Sequence, residues 1–98
     1  MTERIETPTM GEILKAEFMD PLHLSAYRLA QDLHVPVSRI QDILHGRRSI
    51  TADTSVRLGK YFGVSLRYFL NLQDDINIRN AAHALGEELD RIPTVEYA

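Results

Sequence analysis

Four side chains between residues 39 and 48 carry groups that can read and grip a polyanion: Arg39, Gln41, Arg47 and Arg48. A guanidinium forks onto the O6 and N7 of guanine, and a carboxamide pairs with the N6 and N7 of adenine. Adjacent arginines after a glycine suit phosphate oxygens, which carry no sequence information but contribute much of the affinity. Val37, whose methyls match a thymine methyl, stands beside them with Ser38 and Asp42. Val37, Ser38, Arg39, Gln41 and Asp42 are therefore the candidate base-reading face. Ser25, Arg28 and His45 join Arg47 and Arg48 as candidate phosphate contacts. Taken alone, Arg47-Arg48 fits equally well a solvated pair near a helix C-terminus, favoured by its dipole. The elements around them decide between the two.

Ser25 is a good N-cap, followed by an apolar stripe of Ala26, Leu29, Ala30 and Leu33. His34-Val35 forms a turn, and Pro36 suits the first position of the next helix. That helix buries Ile40, Ile43 and Leu44 and stops at Gly46. Cap, stripe, turn, stripe, glycine and two arginines describe a helix-turn-helix, whose second helix enters a DNA major groove. Upstream, Met10, Ile13, Leu14 and Phe18 share a helical face, and Asp20-Pro21 is expected to break that helix. Downstream, Thr51 caps a fourth helix with Val56 and Leu58 to Phe62 as its apolar contacts, and Gly63 stops it. Ser65 is expected to cap a fifth helix centred on YFLNL. No useful stretch alternates with a period of two. The predicted fold is all-α, a compact bundle of five to six helices.

The bulk properties bound the rest. A 98-residue chain makes one small core, and 44% hydrophobic with 26% charged residues is the balance of a folded domain rather than a disordered one. Without cysteine there are no disulfides and no thiolate metal sites. The polar, acidic start has no signal-peptide core, and no apolar run approaches the roughly 20 residues of a membrane span. A cytoplasmic protein without a membrane partner is expected. Residues 25–67 hold seven basic and three acidic side chains, a balance of +4, and the remainder balances at −7. A basic middle suits a polyanion, and acidic ends suit a basic partner.

Other chemistry is weaker. The four histidines include no HExxH pair. Asp42 and His45 lie one helical turn apart, but two ligands are too few for zinc. There is no nucleophile motif, no glycine-rich phosphate loop and no carboxylate pair against an apolar wall. A non-enzyme is expected, with no cofactor, no metal and no small-molecule ligand.

The blocks Gly11-Glu12-Ile13-Leu14, Ser25-Ala26-Tyr27-Arg28-Leu29-Ala30, Val35-Pro36, Ser38-Arg39-Ile40, Ile43-Leu44, Gly46-Arg47-Arg48, Ile50-Thr51-Ala52-Asp53-Thr54 and Leu70-Asn71-Leu72-Gln73 closely resemble the HigA antitoxins. The likeness runs from about residue 8 to residue 93, and ITADT and LNLQ are its most specific blocks. It implies a helix-turn-helix of the phage-repressor, lambda-repressor-like (XRE) type. It also implies binding as a dimer to double-stranded operator DNA, and neutralisation of a HigB-like mRNA endonuclease toxin. Two departures stand out: Thr9-Met10 replaces the family's usual His-Pro, and Phe69 replaces a tryptophan, losing the indole N–H.

The chain thus divides into a lead-in over residues 1–9, a DNA-binding domain over 10–76, a helical segment over 77–93 and a tail over 94–98. In the third piece Ile78, Ala82, Leu85, Leu89 and Ile92 are spaced 4, 3, 4, 3, the seam of a short coiled coil, expected to serve a homodimer. Gly86 weakens that helix and Pro93 ends it. For the toxin, Met10, Ile13, Leu14 and Phe18 are the candidate anchors, with Leu85, Leu89 and Ile92 as the other choice. The competing classes are a free-standing transcription regulator and an interaction module that has lost DNA binding. Retention of Arg39, Arg47 and Arg48 opposes the latter.

Overall fold

A computed structural model describes residues 7–97, which form six helices and no strand. Residues 1–6 of the expected lead-in and residue 98 of the expected tail lie outside the described residues. Thr9 opens α1 (Met10–Ile13) as its N-cap, its hydroxyl oxygen accepting from Glu12 N–H at 3.1 Å. The helical path then widens into a π-helical stretch, Leu14–Met19, and tightens into a 3₁₀ turn, Asp20–Leu22. Asp20-Pro21 therefore does not break the path. A proline is tolerated in the first turn, where its missing N–H needs no partner, and the chain turns away at His23, which is left-handed at φ 55°.

Next come α2 (Ala26–Leu33), α3 (Val37–Leu44), α4 (Ala52–Phe62), α5 (Tyr68–Leu85) and α6 (Glu87–Arg91). Ser25 and Thr51 cap α2 and α4 as expected, accepting from Arg28 N–H and Thr54 N–H. Two expected caps move. Pro36 is the N-cap of α3, in extended conformation, rather than its first helical residue. Ser65 accepts from Arg67 N–H in a turn that precedes α5, so Arg67 is the N-cap and YFLNL begins that helix rather than centring it.

Leu14, Leu29, Ile40, Ile43, Leu58 and Phe69 fill the centre of the body, joined by Met10, Met19, Ile50 and Ile76. The ring of Phe69 lies 4.9 Å from that of Phe18 and 6.0 Å from that of Phe62, in tilted contact. An all-carbon ring there leaves no polar atom to satisfy. Val56, expected to face the core, is exposed. The buried side of α4 is instead Thr54, Ser55, Leu58 and Gly59. Ser55 Oγ donates to the Leu66 carbonyl at 2.7 Å and accepts from Leu70 N–H at 3.0 Å, fastening α4 to the start of α5. Gln73 does similar work, with its Oε1 accepting from Ile50 N–H at 3.0 Å and its Nε2 donating to Asn77.

The body ends at Ile76. From Asn77 to Tyr97 every residue is exposed, so the last turns of α5 and all of α6 form an arm. The radius of gyration is 16.7 Å, against about 13 Å for a compact chain of this length, so compactness holds for the body alone. Gly86 separates α5 from α6 at φ 51°, ψ −123°, a conformation only glycine adopts without strain. The seam residues therefore do not share one helix. Ile78, Ala82 and Leu85 belong to α5, Leu89 to α6, and Ile92 is extended beyond its end.

Candidate nucleic-acid interface

The interface is built on α2, α3 and the turn between them. His34 ends α2 in the left-handed region at φ 61°, which histidine enters more readily than most residues. Its N–H returns to the carbonyls of Ala30 and Gln31. Val35 and Pro36 then redirect the chain into α3, whose inner face buries Ile40 and Ile43 and half-buries Leu44.

The outer face carries Ser38 and Gln41, both exposed, with Arg39 and Asp42 half-buried beside them. Val37 is the correction here. It is half-buried against the core, because the first turn of α3 rests on the body, so its methyls are only partly presented. After α3, Gly46 adopts φ 75°, which lets the chain reverse while Arg47 N–H and Arg48 N–H both return to the Asp42 carbonyl, at 2.7 and 3.2 Å. Arg47 and Arg48 leave this turn exposed. Arg47 Nε also donates to Asp42 Oδ1 at 3.1 Å. Arg48 makes no side-chain hydrogen bond or ion pair among the described residues. His45 Nδ1 donates to the Gln41 carbonyl at 2.7 Å, so His45 and Asp42 are each engaged with a protein partner rather than paired as metal ligands.

Every acid of the basic middle is matched to an arginine. Asp32 accepts from Arg28 Nε at 2.9 Å and from Tyr61 O–H at 2.7 Å. The Tyr61 hydrogen bond, and then that of Arg28, hold the Asp32 carboxyl below its ordinary value, and Asp32 in turn raises both partners. Asp53, at the start of α4, accepts from Arg57 Nε at 2.9 Å and Arg39 Nη1 at 2.8 Å, both on Oδ2. Arg57, and then Arg39, hold that carboxyl low. Sequence reading missed Asp53, Arg57 and Tyr61. Arg39 and Asp53 are fourteen residues apart in the chain, so only the fold brings them together.

The structure thus gathers Ser25, Arg28, Ser38, Arg39, Gln41, Asp42, His45, Arg47 and Arg48 on the two helices and the turn that follows them. The other candidates lie elsewhere. Met10 and Leu14 are core residues, because the stripe that carries them is the one that closes α1 onto the body. They are not available to a partner, whereas Ile13 and Phe18 are half-buried. Ile78, Leu85, Leu89 and Ile92 are exposed on the arm.

Residues 15–69 match the helix-turn-helix family. In three dimensions the chain superposes on antitoxin HigA of Pseudomonas aeruginosa, solved with the higBA promoter, at a TM-score of 0.83 and 33% identity. That match covers 91% of this chain and 98% of the other. The chain belongs to the helix-turn-helix family of the HigA antitoxins. Virulence-associated protein I of Dichelobacter nodosus is 46% identical over 72% of this chain, which spans 66% of that protein. The HTH-type transcriptional regulator YbaQ of Escherichia coli is 35% identical over 91% of this chain and 81% of its own length. The family is one of DNA-binding regulators and antitoxins, not of enzymes. No helix among the described residues is long and apolar enough to cross a membrane.

Proposed function

We propose that this HigA-like chain is the antitoxin of a type II toxin–antitoxin module, repressing its own operon and silencing a HigB-like mRNA endonuclease by binding it. The observation that carries the DNA half is the outer face of α3. Gln41 is exposed there and Arg39 half-buried, on the side that base edges would meet, and the Gly46 turn is followed by exposed Arg47 and Arg48, where a phosphate backbone would pass. The likeness to a HigA bound to promoter DNA supports the same docking. We place the phosphate grip on Ser25, Arg28, His45, Arg47 and Arg48. Base reading falls to Ser38, Arg39, Gln41 and Asp42, with Val37 at its edge. Two copies joined through the arm, by Ile78, Ala82, Leu85, Leu89 and Ile92, would present two α3 helices to half-sites about 34 Å apart. For the toxin we favour the outer side of the first helix, where Glu12 and Glu17 are exposed beside Ile13 and Phe18. A ribonuclease must present a basic surface to RNA, and these acids complement it.

The test is co-expression with the adjacent small open reading frame, together with a gel-shift on the DNA upstream of the pair. Growth arrest by the neighbour, relieved by this chain, and a retarded upstream duplex are expected. The likeness to YbaQ supports a second reading, a free-standing regulator. A shifted duplex with no toxic neighbour selects that one, and no shift on any duplex rejects both.

A further inference from the structure

Arg39 is the third residue of α3, and its guanidinium is not loose. Nη1 is held 2.8 Å from Asp53 Oδ2, and its side chain is only 27% exposed. The same oxygen takes Arg57 Nε at 2.9 Å, and Arg57 Nη1 donates to the Leu33 carbonyl, the last of α2, at 2.8 Å. A single carboxylate therefore joins the end of α2, the start of α3 and the start of α4. A free arginine side chain samples many rotamers, and ordering it on a base costs conformational entropy. An arginine already pinned through Nη1 has given up much of that freedom. Its Nε and Nη2 donors remain on one edge, the arrangement that two acceptors on a guanine require.

We infer that Asp53 is a positioning residue for sequence recognition: it does not touch a base but fixes the Arg39 guanidinium, and through it sets discrimination. This inference rests on the assignment of Arg39 to base reading. Charge gives it a distinctive signature. Asp53 is a negative group beside a phosphate-facing surface, so removing its charge raises affinity for every duplex. Losing its hold on Arg39 lowers the preference for the correct base. In Asp53→Asn the two arginines also lose their shared counter-ion. Arg57 keeps the Leu33 carbonyl, so Arg39 is the one released.

The experiment is selection from a randomised duplex library by the wild-type protein, Asp53→Asn, Arg39→Ala and the double variant, with enrichment read by sequencing. Wild type is expected to enrich a motif with one guanine position that Arg39→Ala relaxes. Asp53→Asn should relax that same position, roughly tenfold, while binding random DNA at least as tightly as wild type. The double variant should be no worse than Arg39→Ala, because both changes act on one contact. If Arg39→Ala relaxes the position and Asp53→Asn does not, the positioning role is overturned and Arg39 reads alone. If the wild-type motif survives Arg39→Ala intact, base reading by Arg39 fails first. Equal loss at all positions in Asp53→Asn, with a lowered thermal midpoint, makes Asp53 a structural ion pair only.

Discussion

The Asp42 carboxylate holds the side chain of the first of the two arginines that follow α3, and the Arg48 guanidinium has no such partner among the described residues. Counterion release counts the phosphates newly neutralised, and an arginine already paired with a carboxylate contributes less to that count than an unpaired one. Arg48→Ala should therefore flatten the slope of log K against log salt by about one unit. Arg47→Ala should flatten it by less, with both changes independent of sequence. Titrations of cognate and random duplexes at several salt concentrations check this. Unchanged slopes in both variants would remove the pair from the phosphate footprint. A second residue, Asp32, makes stability depend on pH. Its carboxyl is held below the ordinary 3.8 by Tyr61 and then Arg28. The stability this contributes is present above the unfolded value and lost as pH falls through the lower folded value. Asp32→Asn should lower the thermal midpoint at neutral pH, and its gap to wild type should close once the pH has fallen through the lowered folded value. A gap of the same size at both pH values would show that Asp32 acts by packing and not by charge.

At the scale of helices, buried polar contacts and close backbone approach hold the interface steady. Gln73 reaches from α5 to the Ile50 N–H, just past the arginine turn. Gln73→Leu leaves that donor buried without a partner, which costs about 1–3 kcal/mol, measurable by urea denaturation. Gly11 lies so close to the end of α3 that an added Cβ would sit 2.5 Å from the Ile43 carbonyl oxygen and 2.6 Å from that of Leu44. Gly11→Ala should push α1 from α3, cost about 1–3 kcal/mol and weaken DNA binding. A variant as stable as wild type would contradict the tight packing. Much of this architecture was legible in the sequence. Ser25 and Thr51 cap where their types and spacing place them, and Ile40 and Ile43 bury on the periodicity that marked them. The misses have physical causes. The buried side of α4 relies on Thr54, Ser55 and Gly59, small or polar residues that an apolar pattern ignores. Met10 and Leu14 read equally well as core or partner surface, since a stripe does not say what covers it. The Arg39–Asp53–Arg57 cluster joins positions whose proximity only the tertiary fold creates.

For the molecule as a whole, Ile76 is the last buried residue among those described, and the arm beyond it is exposed. Leu85 and Leu89 are about half exposed in the single chain (45% and 44%), so a charge at either has little core to disturb. Leu85→Asp and Leu89→Asp should keep the helical content and thermal midpoint of the body, yet sediment as monomers with weakened operator binding. A dimer that persists in both variants would move the interface off the arm. One consequence of that exposed arm concerns descent with change. Substitutions at Met10, Ile40 or Phe69 must satisfy the body before they can do anything else. Those at Ile78, Leu85, Leu89 or Ile92 escape that filter. On the proposed pairing through the arm, duplicated copies of such a gene can drift apart in whom they pair with while the body still folds around the same α3. Sister proteins in one cell would then become insulated from each other by changes to a few arm side chains.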